Sequence, residues 1–260
     1  MEKRGQVALF IILGIVVIVV IGFIYFNRGL LIKETAVLES NEKFVTTRLE
    51  PIKSYVQNCV YKSALNGLIL LGKQGGHYNA YKAEELNGIN VSYACYKADN
   101  ENINQLPLIS DMSNEFNEYM KNANTISEIN KCIDDFKTFK KEGLNVKENG
   151  KISFSNNILE NNVRIDITYP LEVSRGDYTA TLKNMFAEVP VGIGKAHKIA
   201  VEITNKECNN EEFDFDSLGL NEPIATSSVQ GYGGKEIIYL KTIPSFKDEI
   251  PIEFNFIIEK

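Results

Sequence analysis

The chain has 260 residues, with 28 Lys and Arg against 34 Asp and Glu and a formal net charge of −6. Neutralising phosphates takes a concentrated basic stripe; the lysines here are scattered among acids and asparagines, which excludes nucleic acid as a partner. Apolar residues make up 44%, but unevenly: without Val7 to Phe26 the remainder falls to about 40%, a composition that still supports a core of its own.

From the N-terminus, residues 1–6 form a short basic leader, and Val7 to Phe26 contains only apolar residues and two glycines. Twenty helical residues span about 30 Å, the thickness of a bilayer's hydrocarbon core. We read 7–26 as a membrane-spanning helix that contacts lipid. A cleaved secretory signal would have a shorter apolar core and a small-residue cleavage site, whereas Phe23 to Arg28 is bulky. Lys3 and Arg4 precede the span and Arg28 and Lys33 follow it, so the nearby cations are balanced. The short basic leader and the cysteines of the acidic remainder favour a cytoplasmic N-terminus and an extracytoplasmic C-terminal domain, in a single-pass protein of the cell membrane.

Residues 27–48 read as a stalk. Leu49, Ile52, Val56, Val60, Ala64, Leu68 and Leu71 then recur at three- and four-residue steps and predict a helix with Gly72 as its stop. Lys73 to His77 is turn-like, and Ile89 to Lys97 reads as a strand. Met112, Phe116, Met120 and Ala123 predict a helix capped by Ser110. Ile126, Ile129, Ile133 and Phe136 predict another, with Thr125 and Glu128 as a capping box and Gly143 as its end.

From Leu144 the period changes to two. Glu148, Asn149 and Gly150 are turn chemistry, and Lys151 to Ser155, Val163 to Val173, Tyr178 to Val189, Glu236 to Ile243 and Ile252 to Ile258 predict strands. The last places Ile252, Phe254, Phe256 and Ile258 on one face. Residues 190–206 fit either period; helix is favoured, with Pro190 near its first turn. The expected fold class is α+β: a helical part of the ectodomain at 49–143 and a β-rich part at 144–260, helices packing on a mainly antiparallel sheet.

Two resemblances add to this. Lys3, Arg4, Gly5 and Gln6, followed at once by an apolar helix, resemble the class III signal of archaeal type IV pilin-like proteins. The resemblance implies cleavage between Gly5 and Gln6, retention of the helix, and its packing with other copies in a homo-oligomer or filament. Phe10 stands where the bacterial pattern has Glu at the fifth mature position. The layout is also similar to a group of single-anchor proteins from small-genome archaea, on Asn58 and Cys59, Gln74 to Gly76, Cys132, and Tyr169, Pro170 and Leu171 at a strand end. That similarity implies no functional residue.

Cys59, Cys95, Cys132 and Cys208 are an even set in a chain expected to be exported. Cys59 and Cys132 each sit on or beside the apolar face of a predicted helix, so Cys59–Cys132 with Cys95–Cys208 is the preferred pairing; buried free thiols are the alternative. No two cysteines lie close enough in sequence for a zinc motif, and no metal or cofactor is expected. His77 reads as a turn histidine and His197 as a helix-surface one, neither in a catalytic motif. Gly72 to Gly76 lacks the Gly-Lys-Ser/Thr ending of a phosphate loop. Asp214, Asp216 and Gly219 partly match a calcium loop, but Leu218 and Ala225 replace two ligands. A looser acidic cluster with Glu211 and Glu212 is the remainder, and Asn90, Val91 and Ser92 form a glycosylation sequon. The sequence favours a pilin-like surface protein with a structural or interaction role and no catalytic residues. A membrane-tethered module for a ligand or cell-wall component comes second, and an anchored hydrolase third. The external partner is not identified by any motif.

Overall fold

A computed structural model describes residues 44–215 and 223–259. The expected span at Val7 to Phe26, the Gly5/Gln6 junction, and Asp216, Leu218 and Gly219 lie outside the described residues. Among the described residues, no helix is long and apolar enough to cross a membrane.

The chain enters through a wide π-type turn, Val45–Leu49, into α1, Glu50–Lys73. Phe44 is already buried and Arg48 lies 3.7 Å from Glu142, so the last residues expected in the stalk belong to the folded body. The predicted spacing holds, with Ile52, Val56, Val60, Ala64, Leu68 and Leu71 fully buried. Gly72 does not stop the helix. It lies inside the last turn because a side chain there would run into the Glu253 carbonyl, and the reversal comes at Gly75 and Gly76, at φ +71° and +87°.

Helix α2, Ile109–Lys121, buries Met112, Phe116 and Met120. Its first turn is set not by Ser110 but by Asp111, whose Oδ2 accepts the Leu108 N–H at 3.3 Å. Ala123 opens the next helix, α3, Ala123–Ile133, where Asn122 Oδ1 takes the Asn124 N–H at 2.8 Å; Thr125, the expected cap, is buried inside it. The single helix expected through Phe136 breaks. Asp134, Asp135 and Phe136 take φ of +47°, +49° and +54°, and a short α4, Lys137–Lys141, follows, with Gly143 closing it at φ +82°. The left-handed turn costs backbone energy but carries Phe136 into the core, 6.3 Å from the Tyr169 ring. Helix α5, Ile193–Cys208, resolves the ambiguous stretch as helix, with Pro190 outside it and Val191 bridged to Ile250.

Among the described residues, ten strands form two sheets. The first joins β1 (Ala83–Leu86), β2 (Ile89–Ala98), β10 (Glu253–Glu259), β9 (Lys235–Thr242) and β8 (Ile224–Gln230) in that order, with β3 (Glu101–Asn104) also on β2. In the second, β6 (Val163–Arg175) pairs along its length with β7 (Tyr178–Val189) and with β5 (Ser153–Ile158) and β4 (Asn145–Glu148) over its two halves. All strand pairings are antiparallel except β2 with β10. Pro170, lacking an N–H, sits where the β6–β7 register shifts; Tyr169, Pro170 and Leu171 therefore mark a bulge within a strand and not its end.

Strand β10 alternates as expected on one side, with Phe254 and Phe256 fully buried, but Asn255 and Ile257 are buried too. Ile257 joins Val91, Tyr93 and Tyr96 in a small cluster on the opposite side of the sheet. Because β1 to β3 fall within the span read as helical and β2 pairs with β10, residues 49–143 and 144–260 share one sheet. Helix α1 packs on β7 and β10, and α5 packs on β9 and β10. One hydrophobic cluster runs from Phe44 to Ile258. The fold is α+β with antiparallel-rich sheets.

Candidate functional site

Both expected cysteine pairs are bonded, with Cα atoms 5.7 Å apart for Cys59–Cys132 and 5.8 Å for Cys95–Cys208. The first ties α1 to α3, where Tyr55 Oη also donates to the Cys132 carbonyl at 2.6 Å. The second ties β2 to the end of α5. These bonds are structural clamps, and none of the four sulfurs is free to act as a nucleophile or ligand.

The two histidines lie far apart in role. His197 is not on the surface of α5: it is 8% exposed, and its Nε2 donates to the Pro107 carbonyl at 2.7 Å. Burial lowers its pKa below the ordinary 6.5, partly opposed by that hydrogen bond. His77 does sit in the turn after α1. Its Nδ1 is 2.7 Å from Glu115 Oε1 and its Nε2 is 3.1 Å from the Gln105 carbonyl, so both nitrogens face oxygen acceptors. The other Glu115 oxygen accepts the Tyr78 N–H at 2.6 Å. Residues 77 and 78 are thereby locked onto α2.

That lock shapes one side of a groove of about 620 Å³. Helical spacing supplies the other walls. Leu70 and Gln74 are one turn apart at the end of α1, and Asn114, Glu118 and Asn122 are one turn apart along α2. Tyr78 and Tyr119 also line it, stacked with ring centroids 5.1 Å apart and planes at 15°. Tyr119 stacks in turn on Phe116 at 6.3 Å, over Gly67, where any side chain would collide with the Tyr119 ring. Tyr78 Oη donates to the Gly67 carbonyl at 2.8 Å; burial, with Tyr119 and Glu115 nearby, holds its pKa well above the ordinary phenol value. Two shallower depressions, of about 510 and 350 Å³, lie against α3 and beside Arg164.

A second polar constellation surrounds the start of α5. Lys195 and Glu249 are buried 3.6 Å apart, Lys195 Nζ donates to Ser245 Oγ at 3.1 Å, and Glu249 Oε2 accepts the Ser245 N–H at 2.6 Å. A serine beside a lysine has the parts of a nucleophile and base. Here the Lys195 ammonium is a donor paired with a carboxylate, so the arrangement fastens the 243–250 loop to α5 and does not activate the hydroxyl. On the outer side of the first sheet, Glu84 Oε2 accepts from Lys235 Nζ at 2.6 Å and Tyr93 Oη at 2.7 Å, and these bonds, Lys235 foremost, hold its pKa below the usual carboxylate range. Lys82 lies 4.4 and 4.6 Å from the Tyr93 and Tyr96 ring centroids and pairs with Glu259. These groups satisfy one another.

No cluster of metal-ligating side chains occurs among the described residues. Glu211, Glu212 and Asp214 lie in an open segment after α5. Asn90 of the sequon is exposed on β2 next to the tight turn at Asn87 and Gly88. In the sequence Gln74 reads as a turn residue and as part of the Gln74 to Gly76 feature of the layout similarity, with no ligand role, and Tyr78, Asn114 and Tyr119 carry no motif; the polar stripe on α2 at 114, 118 and 122 is the available signal. No protein-family model, curated protein sequence or solved structure matches the chain.

Proposed function

We propose that this is an exported, single-pass membrane protein that displays its α+β domain outside the cell membrane, with the helix at Val7 to Phe26 as anchor or as the assembling element of a pilin-like filament. The observation that carries this reading is the pair of disulfides, Cys59–Cys132 and Cys95–Cys208, which form and persist in oxidising compartments, on a chain with a charge-free stretch of membrane length at Val7 to Phe26. Surface contacts are the role of the domain. The Leu159 carbonyl packs on Gly194, Ser245 bonds Lys195 and the Pro107 carbonyl bonds His197. Leu108, Leu159, Ile243 and Phe246, at or next to the residues that make these contacts, are exposed, and exposed apolar groups are what association would cover.

The groove at Tyr78 and Tyr119 favours a second reading, a tethered binding module. Twenty residues of α1 separate Glu50 from Leu70, which sets the groove about 30 Å from the start of the helix, displayed away from the anchored end. Both readings share one test. Protease added to intact cells of the native host should remove the domain while leaving a membrane-embedded N-terminal fragment; full protection of the domain until the cells are lysed would contradict export.

A further inference from the structure

We infer that the groove between α1, α2 and the turn at residues 74–79 binds a neutral, polyhydroxylated ligand, a short stretch of glycan chain. The inference rests on the tethered-module reading and names the chemistry of its ligand. The volume, about 620 Å³, lies within the range of about 300–1,000 Å³ typical of small-ligand sites. The lining decides the class.

Gln74 is only 9% exposed and lines the groove; its side-chain amide has no hydrogen-bond partner among the described residues and is not among the fully enclosed unpartnered atoms, so it opens onto the groove. Asn79 and Asn114 likewise present unbonded side-chain amides there, and Asn122 spends its Oδ1 on the Asn124 N–H, leaving its NH₂ group. Each free amide offers a donor and an acceptor, which matches hydroxyl groups, since each hydroxyl both donates and accepts. The two tyrosine rings and Leu70 supply apolar surface for the C–H faces of a sugar ring.

Other ligands fit less well. An anion would meet Glu115 and Glu118 with no Lys, Arg or His in the lining. A cation would find both carboxylates engaged, Glu115 by His77 and Tyr78 and Glu118 by Lys121 at 3.1 Å. An extended peptide is commonly held by an open strand edge, and this groove is walled by two helices and a turn. An amphipathic helix needs a row of apolar anchors, which Leu70 alone does not provide.

The test is titration calorimetry of the full-length protein with cellohexaose, chitohexaose and a mannohexaose, and with an uncharged Gly-Ser peptide as a comparison probe. We expect at least one oligosaccharide to bind, with affinity reduced about five- to tenfold in Gln74→Ala and in Asn114→Ala, as loss of a neutral hydrogen bond predicts. Asn114 is exposed, so its variant keeps the wild-type melting temperature and serves even if Gln74→Ala is poorly folded. No binding of any oligosaccharide at about 10 mM, or binding that Asn114→Ala and a folded Gln74→Ala leave unchanged, overturns the inference. Binding of the peptide alone also overturns it while leaving the tethered-module reading intact.

Discussion

At Gly67 the absence of a side chain is what lets Phe116, Tyr119 and Tyr78 stack in a row. Gly67→Ala should cost about 1–3 kcal/mol of unfolding free energy, the range for overpacking a core, read from urea denaturation. The buried Lys195–Glu249 pair makes a different demand. Lys195→Met or Glu249→Leu alone strands a charge with side-chain exposure of 0–4% and should cost about 3–5 kcal/mol. The double replacement should cost clearly less than the sum, which a double-mutant cycle measures. His197 gives a pH signature. Its folded-state pKa lies below 6.5, so the unfolded chain takes up the proton first. The stability it contributes is complete above pH 6.5 and is lost as pH falls from there through the folded value. His197→Gln keeps a donor for the Pro107 carbonyl and should flatten the fall in stability between pH 7 and pH 5.

Among the elements, the disulfides tie helix to helix and helix to strand. Cys59–Cys132 closes 73 residues of sequence separation, worth about 4 kcal/mol in the chain-entropy account. Cys59→Ala with Cys132→Ala should lower unfolding free energy by about that amount. This pairing was legible because α1 and α3 announce their buried faces by spacing, and both cysteines lie on or beside those faces. Strands β2, β6, β7 and β10 were legible for the same reason. Strands β1, β3 and β8 were not: Ala83–Leu86 and Glu101–Asn104 are short and polar, Ile224–Gln230 is mostly exposed, and each is a strand because a neighbour supplies its ladder. The break at Asp134 was hidden because Phe136 continues the apolar period of α3. What diverts it is packing on Tyr169, a partner 33 positions away.

The molecule as a whole joins what composition had separated, since the parallel β2–β10 pairing and the α1 packing on β7 and β10 bind early and late segments into one core. The groove belongs to this scale as well. Its walls come from the end of α1, the turn after it and one stripe of α2, and no single segment carries a motif for it. Export and anchorage are the central claim, and the most direct measurement is the intact mass of protein taken from native membranes and alkylated without reductant. Export gives a mass with no cysteine modified, for a chain that begins at Gln6 where the helix assembles filaments and at Met1 where it is only an anchor. A mass carrying four alkyl groups would contradict it.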